Sequence, residues 1–544
     1  MSEFLDRVIV TAARTERGLV TGEPGAPHRQ TWAALHRRAR EMAAALIADG
    51  VRPGDAVAVL AAEPVLIAPV VQAAWLAGAS VTMLHQPTAR TDLQDWGDHT
   101  LRVLRLIGAR TVLLGESFGI VAPMLAERTI AHRLISELTG APAATLPAPV
   151  GEDDVALLQL TSGSTDDPKA VRITHRNLLA NLTSIAGHGR LDPDDEVIVS
   201  WLPLFHDMGM VTFLALPMLL GIETVQVTPV DFVNNPLLWI DLLSRYRATI
   251  TGAPNFAYAV TGRAMRRLTG GEGYDLSRLR AALNGAEPID EDVARRFIAA
   301  AAPFGLRPES LVCSYGMAEC TVAITARPLG GGLSVDVVQA GPMETGDRAE
   351  PANGTVAARP LVKLGPPLSG IEVKAVGVDG APLGDRAIGR LWIRGDSVTP
   401  GYLTAQGPVG AQDADGWLDT GDLGYLVDGE VVICGRAKDV IILGGRNLYP
   451  TDIERVVTSV PGVRSGNAVA VRIDAGTGRE SFAVVAESKL DDDADIQRLI
   501  QDITSRVVNV VGARPSRIAI VPPGSLPKTP SGKLRRSSAA LLLG

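Results

Sequence analysis

The loop inside the stretch LQLTSGSTDDPKAV, residues 158–171, combines small hydroxyl side chains, one glycine and one lysine, which suits it to hold an anion. The residues concerned are Thr161, Ser162, Gly163, Ser164, Thr165 and Lys169. The spacing is neither that of a Walker-type phosphate loop nor that of a Gly-x-Ser-x-Gly nucleophile elbow. The apolar runs VALLQL and AVRIT on either side predict strands, so the loop is a turn that could bind phosphate oxygens. Ser, Thr and Gly are also common in turns that bind no ligand, because they favour the backbone conformations of a turn.

The motif CSYGMAEC brings a ring and a carboxylate together near the end of a predicted strand. Tyr315 could stack on a base beside Gly316, and Glu319, four residues after the tyrosine, could hold a metal ion. Taken alone, Glu319 could equally be a solvated acid on the surface.

Two later motifs continue the series. WLDTGDLGYL is interpreted as a glycine-flanked turn on which Asp422 could accept hydrogen bonds from a ribose diol, and CGRAKDV supplies Arg436. LPKTPSGKLRRS places Lys533 in a Pro/Ser/Gly loop, although a basic tail is its simpler explanation. Each of these residues, taken singly, could have a purely structural role. The occurrence of all the motifs in this order along one chain indicates nucleotide chemistry.

The elements that must position these residues alternate between strand and helix patterns from about residue 30 to 325. Such alternation predicts an α/β fold in which helices cover parallel sheets. Between about 330 and 400, glycine, proline and β-branched residues predict a smaller β-rich part. The last segment has its own strands and helix, which predicts a small α+β domain. We expect an N-terminal domain over 1–437, with 330–437 as its β-rich part, and a C-terminal domain over 438–544.

Composition limits the class of protein. A chain of 544 residues is too long for one hydrophobic core, and 46% hydrophobic with 21% charged residues is typical of globular proteins. Lys+Arg 52 against Asp+Glu 60 gives a net charge of −8, which argues against nucleic acid as a partner. Three cysteines without paired spacing and an N-terminus without a signal pattern predict a cytoplasmic protein. The uncharged stretch 64–84 contains prolines and predicts a buried helix and then a strand, not a transmembrane segment.

Together these motifs resemble the adenylate-forming superfamily of acyl-CoA ligases, luciferases and peptide-synthetase adenylation domains, over nearly the whole chain. The resemblance implies a large N-terminal domain and a small mobile C-terminal lid, with a hinge at Lys438. It implies that ATP is a co-substrate whose β- and γ-phosphates are gripped by the loop 161–169 while a carboxylate attacks the α-phosphorus. Glu319 resembles the Mg²⁺-binding glutamate and Lys533 the catalytic lysine. The remaining implied nucleotide contacts are the ribose pair Asp422 and Arg436, and the adenine pocket of Gly285, Ala286, Tyr315 and Gly316.

Within this superfamily the stretches WLPLFHDMGM, SYGMAE and GGRNLYPTDIE are most similar to fatty acyl-AMP ligases. That branch implies release of pyrophosphate and transfer of the fatty acyl group to the phosphopantetheine thiol of an acyl carrier protein. His206 would then lie at the acyl entrance, unless its pair with the next aspartate belongs to the core, and Phe256 would form the pocket wall. The 102 residues between Glu319 and Asp422, residues 320–421, leave room for the insertion that restrains the lid in that branch; we expect it within residues 333–368. Ala170, where the superfamily normally has glycine, departs from the pattern.

Two alternatives remain open. The first is a fatty acyl-CoA synthetase, in which free CoA replaces the carrier protein as the thiol acceptor. The second is a non-catalytic nucleotide-binding protein on the same scaffold, against which the presence of both Glu319 and Lys533 argues.

Overall fold

The structure is a computed structural model that describes residues 2–87, 91–139, 150–161, 168–268, 273–345, 348–354, 358–473, 480–528 and 534–543. The chain divides into two compact units. The first comprises Met1–Leu333, Leu364–Glu372 and Ile393–Leu418, and the second comprises Ser334–Lys363, Val373–Trp392 and Asp419–Gly544. The second unit therefore contains most of the β-rich part together with the C-terminal segment, and a domain boundary at Lys438 stays a prediction.

The strands are numbered in chain order. They are β1 (Gly18–Thr21), β2 (His28–Thr31), β3 (Ala56–Leu60), β4 (Ser80–Met83), β5 (Ala109–Leu114), β6 (His132–Leu134), β7 (Val155–Leu160), β8 (Ala170–Thr174), β9 (Val197–Ser200), β10 (Glu223–Gln226), β11 (Ile250–Pro254), β12 (Ala281–Gly285), β13 (Leu311–Gly316), β14 (Ala323–Ala326), β15 (Val335–Gln339), β16 (Ala358–Val362), β17 (Glu372–Val376), β18 (Gly389–Arg394), β19 (Gly401–Thr404), β20 (Gly407–Gly410), β21 (Leu418–Val427), β22 (Glu430–Arg436), β23 (Ile441–Leu443), β24 (Arg446–Leu448), β25 (Val463–Ile473), β26 (Ser481–Ser488) and β27 (Arg517–Val521).

The α-helices are numbered in the same way. They are α1 (Glu3–Arg14), α2 (Trp32–Ala48), α3 (Pro64–Leu76), α4 (Leu93–Leu106), α5 (Ala122–Glu127), α6 (His175–Gly189), α7 (Leu216–Leu220), α8 (Pro229–Asn234), α9 (Leu237–Arg245), α10 (Asn255–Met265), α11 (Glu291–Ala301), α12 (Ala340–Thr345), α13 (Pro450–Thr458), α14 (Asp493–Val511) and α15 (Arg536–Ala539). A π-helix over Met208–Ala215 precedes α7, and short 3₁₀ turns join several elements.

Two eight-stranded sheets build the first unit. One has the order β14-β13-β12-β11-β9-β10-β1-β2, and its strands β9 to β13 pair in parallel. The other has the order β20-β19-β8-β7-β4-β3-β5-β6, with antiparallel pairing from β7 through β8 to β19 and β20. Since parallel strands end at one edge of a sheet, the loops after β9, β11, β12 and β13 lie along a common edge, where α/β proteins bind ligands.

Helix α3 explains why the uncharged stretch 64–84 is not a membrane span. The helix begins with Pro64 and is buried on all sides, and Trp75 donates its indole N–H to the carbonyl of Ala156 in β7 at 3.0 Å. It ends before β4, as the sequence predicts. In the parts of the chain that the structure describes, no helix has both the length and the apolar character that crossing a bilayer requires.

The second unit contains an open sheet of order β17-β18-β21-β22, the hairpins β15/β16 and β23/β24, and a three-stranded sheet β25-β26-β27. Helices α13 and α14 pack on the last sheet around a core that includes Ile453, Val457, Phe482, Val484 and Ile503. The C-terminal segment therefore has a hydrophobic core of its own. The predicted α/β class, with large N-terminal sheets and a small C-terminal domain, is confirmed.

Candidate functional site

The phosphate-loop candidate connects β7 to β8, and both strands have the predicted bounds. Leu160 pairs with Ala170 across the antiparallel ladder, so the two ends of the loop are held at adjacent positions. The first hydroxyl, Oγ1 of Thr161, is buried and has no hydrogen-bond partner within the described structure. A buried hydroxyl without a partner is costly, and an oxygen-rich ligand would satisfy it. Ser162, Gly163, Ser164 and Thr165 lie outside the described residues.

Lys169, at the other end of this loop, is joined to Glu319 through a third side chain. The Lys169 ammonium lies 4.0 Å from the centre of the Tyr402 ring, and the Tyr402 hydroxyl donates to Oε1 of Glu319 at 3.0 Å. Tyr402 comes from β19, whose antiparallel pairing with β8 sets it opposite Val171. The structure thus brings together two of the predicted site residues through a tyrosine that no sequence motif indicated.

Glu319 lies in a 3₁₀ turn, Ala318–Cys320, that follows β13. The backbone fixes this turn, because the amide of Thr399 donates to the carbonyl of Glu319 at 2.8 Å. The Thr321 hydroxyl donates to the carbonyl of Ser397 at 2.8 Å, and Thr321 itself has a left-handed φ of 64°. Such a backbone persists only where its surroundings determine it, so the carboxylate has a defined position.

The donor set at Glu319 fits a magnesium ion that is held chiefly by a nucleotide. No group of three or more His, Cys, Asp or Glu residues suited to a metal occurs among the residues described. Mg²⁺ commonly takes one or two carboxylates and completes its shell with phosphate oxygens and water. A single carboxylate near the phosphate loop is therefore a sufficient protein contribution, whereas a site built from protein ligands alone would need more.

The predicted adenine-pocket residues lie at the ends of two neighbouring parallel strands, β12 and β13. Close packing explains both glycines: a Cβ on Gly285 would lie 2.7 Å from Oγ of Ser314, and one on Gly316 would lie 1.8 Å from the carbonyl oxygen of Val322. Ala286 has a left-handed φ of 65°, which is uncommon for a residue with a side chain. Tyr315 lies next to Gly316 on β13, so the four residues share one edge of the sheet.

The predicted ribose pair is present in the second unit. Asp422 on β21 lies opposite Arg436 on β22, and Nε of Arg436 is 2.8 Å from Oδ1 of Asp422. The Asp422 side chain is only 6% exposed, whereas that of Arg436 is 47% exposed. The interpretation of WLDTGDLGYL as a turn was wrong, because Leu418–Val427 is one strand. Gly421 adopts a φ of 73° inside it, a local distortion that in the sequence resembles a turn.

The two predicted acyl-binding residues follow neighbouring strands of the first sheet. His206 lies 2.5 Å from Asp207, measured from Nδ1 to Oδ1, and Phe256 donates its backbone N–H to Glu287 at 2.6 Å. Phe256 also contacts Trp201 edge-on at 6.2 Å between ring centres. Trp201 follows β9 at the start of the motif WLPLFHDMGM, and its sequence alone did not predict a role in the site.

An apolar region surrounds this point. Trp201 stacks on Phe232 with 3.9 Å between ring centres and meets Trp239 edge-on. A cavity at the ends of β3, β4, β9 and β10 is lined by apolar and small polar side chains, among them Ile67, Met83, Leu202, Phe205 and Thr228. The edge of the sheet that carries the nucleotide candidates therefore continues into a largely buried apolar region with a small cavity.

Lys533 lies outside the described residues. Arg536, three residues later, contacts the segment next to the predicted hinge. Arg536 contacts Glu454 on α13 at 2.8 Å and Asp439 at 3.2 Å. Burial raises the pKa of Glu454, and the Arg536 charge opposes that rise. Lys438 is exposed in the 3₁₀ turn Ala437–Asp439.

The hairpin of β15 and β16, with α12 between them, lies within the predicted insertion and contacts the C-terminal segment. Nε of Arg359 on β16 is 2.9 Å from Oδ2 of Asp452, and the Arg359 guanidinium lies 4.4 Å from the centre of the Tyr449 ring. Glu344 on α12 accepts from Nε of Arg446 at 3.0 Å. Burial raises the pKa of Asp452, which Arg359 opposes. Two ion pairs therefore hold the C-terminal segment against the hairpin.

Comparison with known proteins gives a consistent likeness. Residues 10–403 match the family described as AMP-binding enzyme, and residues 445–538 match the AMP-binding enzyme C-terminal domain. The chain is 48% identical to a provisionally named ligase of Mycobacterium tuberculosis, Rv1013, with 100% of both chains covered. It is similar to a solved structure from studies of fatty acyl-adenylate ligases of E. coli and L. pneumophila, at 30% identity and a TM-score of 0.89, with 98% of this chain and 96% of that one covered.

Relatives whose names specify an acceptor disagree about it. The chain is 34% identical to the medium-chain-fatty-acid–[acyl-carrier-protein] ligase JamA of Moorena producens, with 72% of this chain and 68% of the relative covered. It is 35% identical to a provisionally named fatty-acid–CoA ligase, fadD25, of Mycobacterium tuberculosis, with 72% and 70% covered.

Proposed function

Because the chain belongs to the family of AMP-binding enzymes, we propose that it activates a medium- or long-chain fatty acid and transfers it to an acyl carrier protein. The chain is an adenylate-forming ligase, which uses ATP to activate an acid as its adenylate. The identity of the acid and of the thiol acceptor is the proposed part.

The contact series Lys169–Tyr402–Glu319 beside the phosphate loop carries the adenylation proposal. An oxygen of the acid attacks the α-phosphorus of ATP, the bond to the β-phosphate oxygen breaks, and pyrophosphate leaves with the electron pair. The leaving group carries several negative charges, so catalysis depends on positioning and charge neutralisation. Lys169 and the Thr161 hydroxyl are proposed to bind the β- and γ-phosphates, and Mg²⁺ bound at Glu319 would neutralise phosphate charge.

The other residues of the proposed site bind the acid, the ribose, the adenine and the acyl chain. Lys533 is proposed to bridge the acid and the α-phosphate, and Asp422 with Arg436 to hold the ribose. Gly285, Ala286, Tyr315 and Gly316 are proposed to line the adenine pocket. The apolar region around Trp201 and Phe256 supports a hydrocarbon substrate, and His206 is proposed to lie at the entrance of its pocket.

The contacts of the hairpin favour a carrier protein over free CoA. We assign the region beyond the predicted hinge, Lys438, to the lid, and the Arg359–Asp452 and Glu344–Arg446 pairs restrain it. A restraint of only about 3 kcal/mol would lower the population of a second lid pose by more than a hundredfold. A carrier protein can offset that bias with surface contacts that CoA cannot make.

A product assay tests this proposal and its alternatives. The enzyme is given ATP, Mg²⁺ and a series of fatty acids, with CoA or phosphopantetheinylated carrier protein offered separately. We expect fast release of pyrophosphate, accumulation of acyl-AMP with CoA, and acyl transfer to the carrier. Conversion of CoA at the rate of adenylation would establish the CoA synthetase alternative. Nucleotide binding without pyrophosphate release for any acid would establish the non-catalytic one.

A further inference from the structure

Tyr402 lies between two residues of opposite charge that the proposed function uses. Its ring face is 4.0 Å from the Lys169 ammonium, and its hydroxyl donates to Glu319 at 3.0 Å. Within the described structure, Lys169 and Glu319 form no direct ion pair with each other. The ring therefore separates a cation and a carboxylate that lie close enough to share one side chain.

The strands on either side fix the position of Tyr402. It pairs with Val171 of β8 and with Val409 of β20, so both edges of its backbone are in ladders. The Thr399 hydroxyl donates to the carbonyl of Gly401 at 2.9 Å, just before the tyrosine. A ring anchored in this way can hold other groups in place, and its own movement is limited.

Direct pairing of Lys169 with Glu319 would be harmful to the proposed reaction. An ammonium that binds the carboxylate is less available to phosphate, and a carboxylate that binds the ammonium is a weaker ligand for a cation. A ring face holds a cation by its quadrupole and adds no negative charge, while the phenol donates a hydrogen bond to the carboxylate without adding a positive charge.

We propose that Tyr402 is a positioning residue that keeps Lys169 available for nucleotide phosphate and Glu319 available for the divalent cation. This inference rests on the proposed function for the roles of Lys169 and Glu319. The phenol acts on the carboxylate and the ring acts on the ammonium, so the two effects can be separated by substitution.

Two substitutions distinguish the two contacts. Tyr402→Phe removes the hydroxyl that donates to Glu319 and keeps the ring, and Tyr402→Leu removes the ring as well. Loss of a group that orients a metal ligand typically weakens metal binding 10- to 100-fold. We expect Tyr402→Phe to raise the Mg²⁺ concentration for half-maximal ATP–pyrophosphate exchange about tenfold, with the KM for ATP at saturating Mg²⁺ changed less than about twofold. Tyr402→Leu should raise both values.

A matched control is available in the same unit. The Tyr246 hydroxyl donates to Oε1 of Glu23 at 2.6 Å, so Tyr246→Phe removes the same kind of hydrogen bond elsewhere. This variant should leave the Mg²⁺ and ATP dependences at their wild-type values. Circular dichroism and the thermal midpoint of each variant check that the fold is retained.

A binding measurement keeps this test separate from that of the proposed function. Binding of Mn²⁺ in the presence of α,β-methylene-ATP is followed by electron paramagnetic resonance, which requires no turnover. Weaker Mn²⁺ binding by Tyr402→Phe than by Tyr246→Phe supports the inference even if no acid is activated. Equal Mn²⁺ binding by the two folded variants overturns it, whatever activity the wild-type enzyme has.

Discussion

Replacing Arg359 with alanine should release the C-terminal segment from the β15/β16 hairpin. The substitution removes the ion pair with Asp452 and the stacking contact with Tyr449 in one step. The Arg359 side chain is 7% exposed and that of Asp452 is 27% exposed, so the pair is partly shielded from solvent. Removing one partner of a buried pair costs about 3–5 kcal/mol, and the partial exposure of Asp452 favours the lower end.

Under the proposed function, this loss should act on an equilibrium between two poses of the lid. In the packed pose Asp452 keeps only the longer contact with Arg455, at 3.7 Å, whereas in a released pose water also solvates it. About 3 kcal/mol of destabilisation in the packed pose would raise the released population by roughly a hundredfold. If the released pose admits CoA, the yield of acyl-CoA per acyl-AMP should increase by up to that factor. Adenylation, which does not use Arg359, should stay within about threefold of wild type.

The assay compares ATP–pyrophosphate exchange with acyl-CoA formation in the same preparation. Lys363→Ala is the control, because Lys363 follows the same hairpin strand but pairs with the exposed Asp428 at 3.2 Å and not with the C-terminal segment. Hydrogen exchange of residues 450–458 reports release directly. Faster exchange in that helix with an unchanged acyl-CoA yield would refute the link between the restraint and the choice of acceptor.

Three further predictions concern single residues. Lys533→Ala should lower acyl-AMP formation about 10²–10³-fold, a loss of roughly 3–4 kcal/mol of transition-state stabilisation, and wild-type ATP–pyrophosphate exchange would contradict its role. Asp422→Ala should weaken ATP binding in calorimetry by about 1.5–3 kcal/mol, because charged acceptor contacts to the ribose are lost, and unchanged affinity would remove the ribose assignment. Burial lowers the pKa of His175 from 6.5 to about 4, so the folded protein favours the neutral ring and stability is lost as the pH falls from 6.5 towards 4. Urea unfolding should therefore show about 2 kcal/mol less stability at pH 5 than at pH 8, and a His175→Gln variant with the same pH dependence would exclude this histidine as the cause.

Much of the scaffold could be predicted because hydrophobic patterning is local. VALLQL and AVRIT are uninterrupted apolar runs with turn residues between them, and they became β7 and β8 with the predicted bounds. Asp422 was misplaced for the opposite reason: a glycine with positive φ inside a long strand has the same local sequence as a turn. Pairing with a neighbouring strand, and not the flanking sequence, decides whether such a segment is a turn or a distorted strand.

The missing members of the site depend on contacts between distant segments. Tyr402 is separated from Glu319 by more than eighty residues along the chain, and only the pairing of β19 with β8 shows that its hydroxyl meets that carboxylate. In the same way, the motif SYGMAE indicates the glutamate but carries no information about the ring beside it. A local motif can therefore mark a candidate residue in the sequence, whereas the partners that sheet topology brings to it cannot be read from that motif.

The buried Thr161 hydroxyl lowers the stability of the unliganded fold and raises the affinity for a ligand. Among the described residues this hydroxyl has no hydrogen-bond partner, which disfavours the unliganded fold by about 1–3 kcal/mol, and a ligand oxygen that accepts its hydrogen bond would restore that amount on binding. Valine has nearly the same shape without the hydroxyl, so it would relieve the cost while removing the contact. Directed evolution for heat resistance alone should therefore favour valine at this position, and the resulting protein would be more robust and a poorer enzyme.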